Sequence, residues 1–235
     1  MTPITSPHNE RLKELRKLAR RRERSRTGRF VAEGEDLLAA ADAAGWPALE
    51  RYCVAGSGLV GTEVEPKALA RASTLASGTR ALAVYEQRLA PIRGPLCVYL
   101  HDVADPGNVG TVLRAALAFG ASSVVLGPGC ADPYGPKAVR ASMGAIFAVG
   151  VGRGTIEELP GERIALIPGA GNALRGPLET ATLLVGAERD GLPAQLVAAC
   201  DRTAHIPIGG DSLNAAMAAT VALYEATRMP GMPAP

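Results

Sequence analysis

The sequence predicts an α/β fold in two parts, a small N-terminal α/β module and a larger domain with a mostly parallel sheet. Strand and helix patterns alternate from Leu96 onward, which is typical of parallel strands joined by helices. Two prolines and a glycine within residues 90–95 indicate a linker, so we expect domains at 1–90 and 91–235. Hydrophobic residues make up 47% of the chain, enough to form a core in each part.

The N-terminal module is expected to begin with one basic helix over residues 9–24, with Leu12, Leu15 and Leu18 on its apolar side. Residues 1–8 are expected to be frayed. Later elements of the module are a turn at 25–28, strands at 30–32, 52–55 and 81–85, and helices at 35–44 and 66–73.

The charge of the chain is unevenly distributed. Residues 1–30 hold ten lysines and arginines against three glutamates, a net charge of +7, whereas the whole chain carries only +2. A basic arm on an acidic body suggests a polyanionic partner, although a solvated charged helix explains the pattern equally well. The candidate RNA contacts in this arm are Arg16, Lys17, Arg20, Arg21, Arg22 and Arg29.

Several classes of protein are disfavoured by what the sequence lacks. The four cysteines are isolated and the three histidines do not cluster with them, so neither a metal site nor a disulfide framework is expected. No window of 18 apolar residues or secretory leader is found, and we expect a soluble cytoplasmic protein. The glycine-rich loops of P-loop NTPases and dinucleotide-binding enzymes are also missing.

The second domain is predicted to consist of alternating strands and helices, followed by a loose tail at 229–235. Strands are expected at 96–101, 122–127, 145–150, 163–168, 182–186 and 203–206, and helices at 108–119, 136–142, 193–199 and 212–228.

The first of three polar segments follows the strand at 96–101. Pro106 and Gly107 end that strand, and Asn108 stands where a helix N-cap is expected. The apolar face of the helix is predicted to consist of Val109, Val112, Leu113, Ala116 and Leu117. Arg114 lies roughly 130° from the centre of that face and cannot be a core residue.

The other two polar segments also follow predicted strands. One runs from Gly186 through Glu188 to Gly191 and Leu192, and the other runs from His205 to Asn214, with Ser212 as a candidate N-cap of the last helix. The carboxyl ends of parallel strands lie at one edge of a sheet, where ligands bind in open α/β folds. Taken singly, each segment is better explained as a helix cap or an ordinary loop than as part of a site.

Together and in this order, the three segments resemble the signature motifs of the SpoU (TrmH) family of RNA ribose 2′-O-methyltransferases, within the SPOUT superfamily. The motifs read Asn108–Arg114, Gly186–Leu192, and Ile206-Pro207 with Ser212-Leu213-Asn214. The segment Lys137–Phe147, which includes Arg140, is similar to a family segment that lines the RNA side. Residues 9–88 resemble the family's substrate-binding module.

The resemblance implies a trefoil-knotted C-terminal domain that binds S-adenosylmethionine among its knot loops, without a metal. It also implies a homodimer with active sites near the subunit interface. Leu213, Met217, Val221 and Tyr224 form an apolar stripe that would suit either this interface or packing within the chain. The donor-binding residues it implies are Leu166, Ile167, Pro168, Gly169, Leu184, Val185, Gly186, Glu188, Gly191, Ile206, Pro207, Ile208, Ser212 and Leu213.

By the same resemblance, Arg114 is the catalytic arginine, Asn108 and Glu188 orient it or the ribose, and Ser212 and Asn214 hold the active loop and the helix start. An arginine stays protonated near neutral pH, so it either acts as a base with help from an RNA phosphate or stabilises the developing alkoxide. The implied substrate is RNA, with ribosomal RNA favoured. The alternative functions are a 2′-O-methyltransferase acting on transfer RNA and a catalytically silent RNA-binding protein of the same fold.

Overall fold

The structure is a computed structural model that describes residues 2–75, 78–210 and 212–228. The first elements are α1 (Glu10–Lys17), α2 (Arg21–Thr27), β1 (Arg29–Glu33), α3 (Glu35–Ala43), β2 (Glu50–Val54), β3 (Thr62–Val64), α4 (Pro66–Ala72) and β4 (Ala81–Glu86). They are followed by β5 (Leu96–Leu100), α5 (Pro106–Ala118), β6 (Ser123–Leu126), α6 (Pro136–Ala141), a 3₁₀ helix (Ala145–Phe147) and β7 (Gly150–Arg153). The last are a 3₁₀ helix (Ile156–Glu158), β8 (Glu162–Leu166), β9 (Asn172–Ala173), β10 (Ala181–Val185), α7 (Ala194–Ala198), β11 (Arg202–His205) and α8 (Ala215–Thr227).

The chain forms two compact units. The first unit combines the residues up to Arg88 with Asp132–Ala148, and the second combines Leu89–Ala131 with the residues from Val149 onward. The segment with α6 and the first 3₁₀ helix therefore packs with the N-terminal module, although it lies within the sequence of the second domain.

The first unit is built on a four-stranded sheet in the order β1-β4-β2-β3. Helices α1 and α4 cover one face, and their leucines pack on Tyr52, Leu82 and Val84. The expectation that residues 1–8 are frayed is wrong for Ile4, because its backbone pairs with the strand at Val64 and its side chain packs against the same core.

The single basic helix expected over residues 9–24 is also wrong. Helix α1 ends at Lys17 and α2 begins at Arg21, and α2 continues through the expected turn until Gly28, whose φ of 66° ends it. The break is stabilised by Arg24, whose Nη1 donates to the carbonyl oxygens of Leu18 and Ala19 at 2.9 Å each. A buried arginine thus satisfies backbone acceptors that a continuous helix would have paired internally.

The strand expected at 145–150 is a 3₁₀ helix followed by β7 from Gly150. Phe147 belongs to an aromatic cluster, with ring centroids 5.0 Å from Tyr85 and 5.4 Å from Trp46. Burial of Ile146 and Phe147 on the first unit takes this segment away from the second sheet. The expectation of a strand is therefore wrong for residues 145–149.

The second unit contains a parallel seven-stranded sheet in the order β7-β6-β5-β10-β8-β11-β9. The predicted strands at 96–101, 122–127, 163–168, 182–186 and 203–206 are confirmed within one or two residues. The two-residue β9 was not expected, and neither was β3 in the first unit. Since β8, β10 and β11 are neighbours, the loops that follow them leave the sheet at the same edge.

Two predicted helix caps are wrong. Helix α5 begins at Pro106, and its N-cap is Asp105, whose side chain accepts from the backbone N–H of Asn108 at 3.0 Å. Helix α8 begins at Ala215, and its N-cap is Asn214 rather than Ser212. In both helices a different residue near the expected one is the N-cap, and its side-chain oxygen accepts from a free backbone N–H of the first turn.

Helices α5 and α8 pack against each other. The buried residues of α8 are five alanines and Leu223, and those of α5 include Val112, Leu113, Ala115 and Ala116. Leu117, predicted to be buried, is 47% exposed, and Ala115 takes its place in the core. Within the described residues, no helix is long and apolar enough to cross a membrane, and the tail 229–235 lies outside them.

Candidate functional site

A cavity of about 330 Å³ opens in the second unit, where β8, β10 and β11 end. Its walls come from the three loops that follow these strands and from the first turns of α8. The lining residues are Leu166, Ile167, Pro168, Val185, Gly186, Ala187, Glu188, Arg189, Asp190, Gly191, Ile206, Ile208, Ser212, Leu213, Ala215 and Ala218. The predicted convergence of the loops at one sheet edge is therefore confirmed.

The loop after β10 needs glycine at both of its ends. A Cβ on Gly186 would collide with the backbone of Gly191 and the amide nitrogen of Leu192. Gly191 has a φ of 64°, and its N–H donates to the carbonyl of Ala187 at 3.0 Å. This tight turn holds Glu188, Arg189 and Asp190 at the rim of the cavity.

The cavity combines aliphatic walls with charge on one side. Leu166, Ile167, Ile206, Ile208 and Leu213 provide apolar surface for a flat ring, and the backbone of the glycine loop is close to it. The rim supplies two carboxylates and one guanidinium. This composition suits a small molecule that has both an aromatic ring and a charged group.

Most of the predicted donor-binding residues line this cavity. The exceptions are Gly169, Pro207 and Leu184, and Leu184 is fully buried in the core below. Ala187, Arg189, Asp190, Ala215 and Ala218 line the cavity but were not predicted. The first three lie inside the predicted loop, and the two alanines could have been found from their helical spacing after Asn214.

Three polar side chains from distant parts of the chain form a hydrogen-bonded cluster beside the cavity. The Nδ2 of Asn108 donates to Oε1 of Glu188 at 2.6 Å. The Nδ2 of Asn214 donates to the same carboxylate oxygen and, at 3.2 Å, to Oδ1 of Asn108. We call these residues the amide–carboxylate cluster. It joins the starts of α5 and α8 to the cavity rim.

The orientation of the Asn214 amide is fixed by a second set of contacts. Its Oδ1 accepts from the backbone N–H groups of Ala216 (2.9 Å) and Met217 (3.3 Å), as an N-cap oxygen does. Its Nδ2 must therefore point away from the helix, toward Glu188. One residue both starts α8 and positions the carboxylate.

Arg114 lies on α5 with its side chain exposed, as predicted from the helical pattern. It is six residues after Asn108, about 9 Å along the helix and roughly 120° around it. Among the described residues, no hydrogen bond connects the Arg114 guanidinium to the amide–carboxylate cluster. Ser212 is exposed and lines the cavity without belonging to that cluster.

The predicted RNA contacts all lie in the first unit. Arg20, Arg21, Arg22, Arg29 and Arg140 are exposed, and Lys17 is exposed beside Glu14 at 2.6 Å. Arg16 is half-buried and donates to the carbonyl of Pro7 at 3.1 Å. Arg24, counted in the basic arm, is instead buried and ion-paired to Asp132 (Nη2–Oδ2 2.7 Å).

Metal ligation finds no support in the described part of the chain, where no group of three or more histidine, cysteine or acidic side chains is placed to hold an ion. The four cysteines are free thiols. Burial raises the pKa of the thiols of Cys97 and Cys130, which are buried within the second unit.

Two family models match the chain in succession. The model of the SpoU rRNA Methylase family matches residues 95–224. The model of the MRM3-like substrate binding domain matches residues 9–92. The first match includes every cavity-lining residue and the whole amide–carboxylate cluster.

Individual proteins with similar sequences or structures agree with these matches. The 23S rRNA (guanosine(2553)-2′-O)-methyltransferase RlmP of Bacillus subtilis is 30% identical over 95% of this chain and 98% of that protein. The crystal structure of an AdoMet-bound rRNA methyltransferase from Sinorhizobium meliloti has a TM-score of 0.85, 30% identity, and covers 96% of this chain and 97% of its own. The SpoU methyltransferase AviRb from Streptomyces viridochromogenes, in complex with AdoMet, has a TM-score of 0.81 and 27% identity, and covers 94% of this chain and 97% of its own.

Proposed function

Because this chain belongs to the SpoU rRNA methylase family, we propose that it transfers a methyl group from S-adenosylmethionine to a ribose 2′-hydroxyl of ribosomal RNA. The observation that carries this proposal is that Glu188 both lines the cavity and accepts the hydrogen bonds of Asn108 and Asn214. A cavity with apolar walls and a charged rim thus opens directly beside the amide–carboxylate cluster.

The cavity fits the methyl donor by its composition. The aliphatic side chains can hold the adenine ring, and the backbone groups of the glycine loop can recognise its edge. The carboxylates of Glu188 and Asp190 can balance the positive charges of the donor. The S. meliloti and AviRb structures, which are complexes with AdoMet, support this assignment.

The reaction forms an oxygen–carbon bond at the ribose and breaks the carbon–sulfur bond of the donor, whose sulfur keeps the electron pair. The hydroxyl proton must leave the oxygen, so the protein has to receive the proton or stabilise the alkoxide. We propose Arg114 for this task, through either route. Ser212 and the amide–carboxylate cluster then position the reacting groups.

The first unit is proposed to bind the RNA. It carries the exposed basic residues of the arm and Arg140, and it matches a substrate-binding domain model. RlmP and the S. viridochromogenes protein named a 23S rRNA (uridine(2479)-2′-O)-methyltransferase (34% identity over 59% of this chain and 54% of that protein) support ribosomal RNA as the substrate. We propose domains at 1–90 and 91–235, with residues 132–148 of the second domain packing in the first unit.

We further propose a cytoplasmic homodimer with α8 at its interface. Of the predicted stripe, Met217, Val221 and Tyr224 are exposed or half-exposed, whereas Leu213 precedes α8 and lines the cavity. The alanine face of α8 is used for packing within the chain. Leu117 of α5 adds a second exposed apolar side chain. The trefoil knot implied by the family stays a prediction, and the position of β10 between β5 and β8 is compatible with it.

Mapping of ribose methylation by mass spectrometry, in RNA from cells with and without this gene, tests the proposal. We expect one 2′-O-methylated nucleotide of ribosomal RNA to be lost with the gene and restored by the purified protein with S-adenosylmethionine. A loss confined to transfer RNA would contradict the substrate. An unchanged methylation pattern, with no transfer in vitro, would contradict the activity.

A further inference from the structure

A second cavity, of about 220 Å³, lies within the first unit, between α1, α2 and the sheet. Its lining comes from α1, from α2 and the turn between them, and from one residue each of β1, β2 and β4. We call it the arm cavity.

The floor of the arm cavity is apolar and its position is fixed by the core. Leu15 and Leu18 come from α1, and Val84 comes from the central strand β4. All three are buried to more than nine-tenths and belong to one hydrophobic cluster. These three side chains give the arm cavity an apolar floor against which a flat ring can pack.

The rim of the arm cavity carries charges that other residues do not satisfy. Arg11 and Arg29 are exposed, and in the described part of the chain neither guanidinium is ion-paired. The other charges of the two helices at the rim are already neutralised. Lys17 pairs with Glu14 at 2.6 Å and Arg26 with Glu23 at 2.9 Å, and the carboxylate of Glu10 pairs with Lys13 at 2.6 Å. The unpaired rim charges of the two helices and β1 are therefore positive.

One carboxylate stands beside the floor. Glu50 of β2 pairs in register with Val84, and its Oε2 accepts from the hydroxyl of Tyr52. That contact orients the carboxylate, which lines the cavity. A carboxylate fixed next to an apolar floor can accept hydrogen bonds from the amino group of a nucleobase.

From this arrangement we propose that the arm cavity binds one unpaired nucleotide of the RNA substrate. The inference rests on the proposed function and names a specific contact within it. The base stacks on the floor, its amino group donates to Glu50, and its phosphate lies between Arg11 and Arg29. Guanine, adenine and cytosine carry the required amino group, whereas uracil does not.

The test measures binding of the four ribonucleoside 5′-monophosphates to the full-length protein by saturation-transfer NMR. Saturating S-adenosylmethionine is included, so that the cavity beside Glu188 is not a second nucleotide site. We expect GMP, AMP and CMP to bind at least about fivefold more tightly than UMP. Glu50→Gln should reduce that preference, and Arg29→Gln should weaken all four alike.

Arg71→Gln is the matched control, since Arg71 is an exposed arginine on α4 outside the cavity. Equal binding of all four nucleotides, or identical effects of Arg29→Gln and Arg71→Gln, would overturn the proposal. The assay measures binding of the nucleotides and not methyl transfer, so its failure is distinct from failure of the proposed activity. Conversely, a protein that shows the expected nucleotide preference but transfers no methyl group to RNA would overturn the proposed activity. The proposal that the arm cavity binds a nucleotide would then still stand.

Discussion

The side-chain amide of Asn108 donates to the carboxylate of Glu188 at 2.6 Å, although the two residues are 80 positions apart in the chain. One belongs to the first turns of α5 and the other to the loop after β10. Glu188 also lines the larger cavity. The contact therefore connects the wall of the proposed donor site to the helix that carries Arg114.

We expect Asn108→Ala to slow methyl transfer by about tenfold or more, because Glu188 loses one of the two donors that hold its carboxylate. Stability should change by no more than about 1 kcal/mol, since the bond is partly exposed. Single-turnover methyl transfer and thermal melting measure the two effects. Thr111→Ala, on the exposed face of the same helix, is the control. A normal rate in Asn108→Ala would remove the cluster from the mechanism.

Replacement of the buried Arg24 is expected to destabilise the first unit strongly. Its side chain is 5% exposed, pairs with Asp132, and donates to two carbonyl oxygens at the end of α1. Arg24→Ala leaves a carboxylate and two carbonyls without these donors, which we expect to cost about 3–5 kcal/mol. Denaturant unfolding measures this difference in the free energy of unfolding.

The matched control for Arg24 is Arg26→Ala. Arg26 is on the same helix, but its pair with Glu23 is solvent-exposed, with 61% of the Arg26 side chain accessible. Its removal should cost less than about 1 kcal/mol. Equal destabilisation by the two variants would mean that the Arg24–Asp132 pair does not hold the segment 132–148 in place.

These residues also show where prediction from sequence was limited. The periodicity of leucines in α1 and of the apolar strands gave most elements of both sheets, because burial enforces those patterns. The pairing of Arg24 with Asp132 left no local signal, since the two residues are 108 positions apart. For the same reason the pattern could not show that Phe147 packs with the N-terminal aromatic residues rather than in the second sheet.

The hydroxyl of Tyr134 gives a pH-dependent prediction. It is buried against Phe30 and donates to the carbonyl of Arg88, and burial raises the pKa of Tyr134 to about 12. Because the folded-state pKa of Tyr134 lies above the ordinary value of 10.0, its neutral hydroxyl contributes its full stabilisation of the fold below pH 10. That contribution is lost as the pH rises through about 12.

Tyr134→Phe should therefore be less stable than the parent near neutral pH, and the difference should shrink as the pH approaches 12. Urea unfolding at a series of pH values measures the difference. Ultraviolet titration should show one fewer late-ionising tyrosine in the variant. A difference in stability that stays constant across this range would contradict the assignment.

The basic arm is expected to contribute affinity for RNA through phosphate contacts. Deletion of residues 1–30 would not test this, because Leu12, Leu15 and Phe30 are core residues. Changing the exposed Arg20, Arg21 and Arg22 to glutamine leaves the core intact. The slope of the logarithm of the RNA-binding constant against the logarithm of the salt concentration should flatten by up to about 2. Each phosphate contact with single-stranded RNA contributes ~0.7 to that slope, and three arginines are changed. Filter binding across salt concentrations measures it, and an unchanged slope would place the phosphate contacts elsewhere.

The candidate site was more predictable from sequence than its internal geometry. The glycine loops after β10 and β11 mark the sheet edge, and the resemblance supplied Asn108, Glu188 and Asn214. Which side chain caps α8 and which donates to Glu188 could not be predicted, because Ser212 and Asn214 are both good caps and only the loop path decides between them.

The last prediction concerns Arg114. Its exposed position on α5 means that Arg114→Ala should change the stability by no more than about 0.5 kcal/mol. Donor affinity should also be kept, because Arg114 does not line the cavity. If it accepts the proton or stabilises the alkoxide, however, methyl transfer should fall by roughly 10²-fold or more. Arg114→Lys should rescue only in part, since an ammonium lacks the planar fork that can contact ribose and phosphate together.

Single-turnover transfer to RNA at saturating donor separates these effects, with calorimetry for donor binding and thermal melting for the fold. Arg71→Ala is the control for the loss of an exposed arginine. A pH profile of the transfer rate distinguishes the two routes. If Arg114 is the base, the rate should rise with pH until Arg114 is deprotonated. If Arg114 is a charged stabiliser, the pH profiles of Arg114→Lys and of the parent should be parallel. A folded Arg114→Ala protein with near-normal transfer would return this arginine to the ordinary solvent-exposed surface of α5.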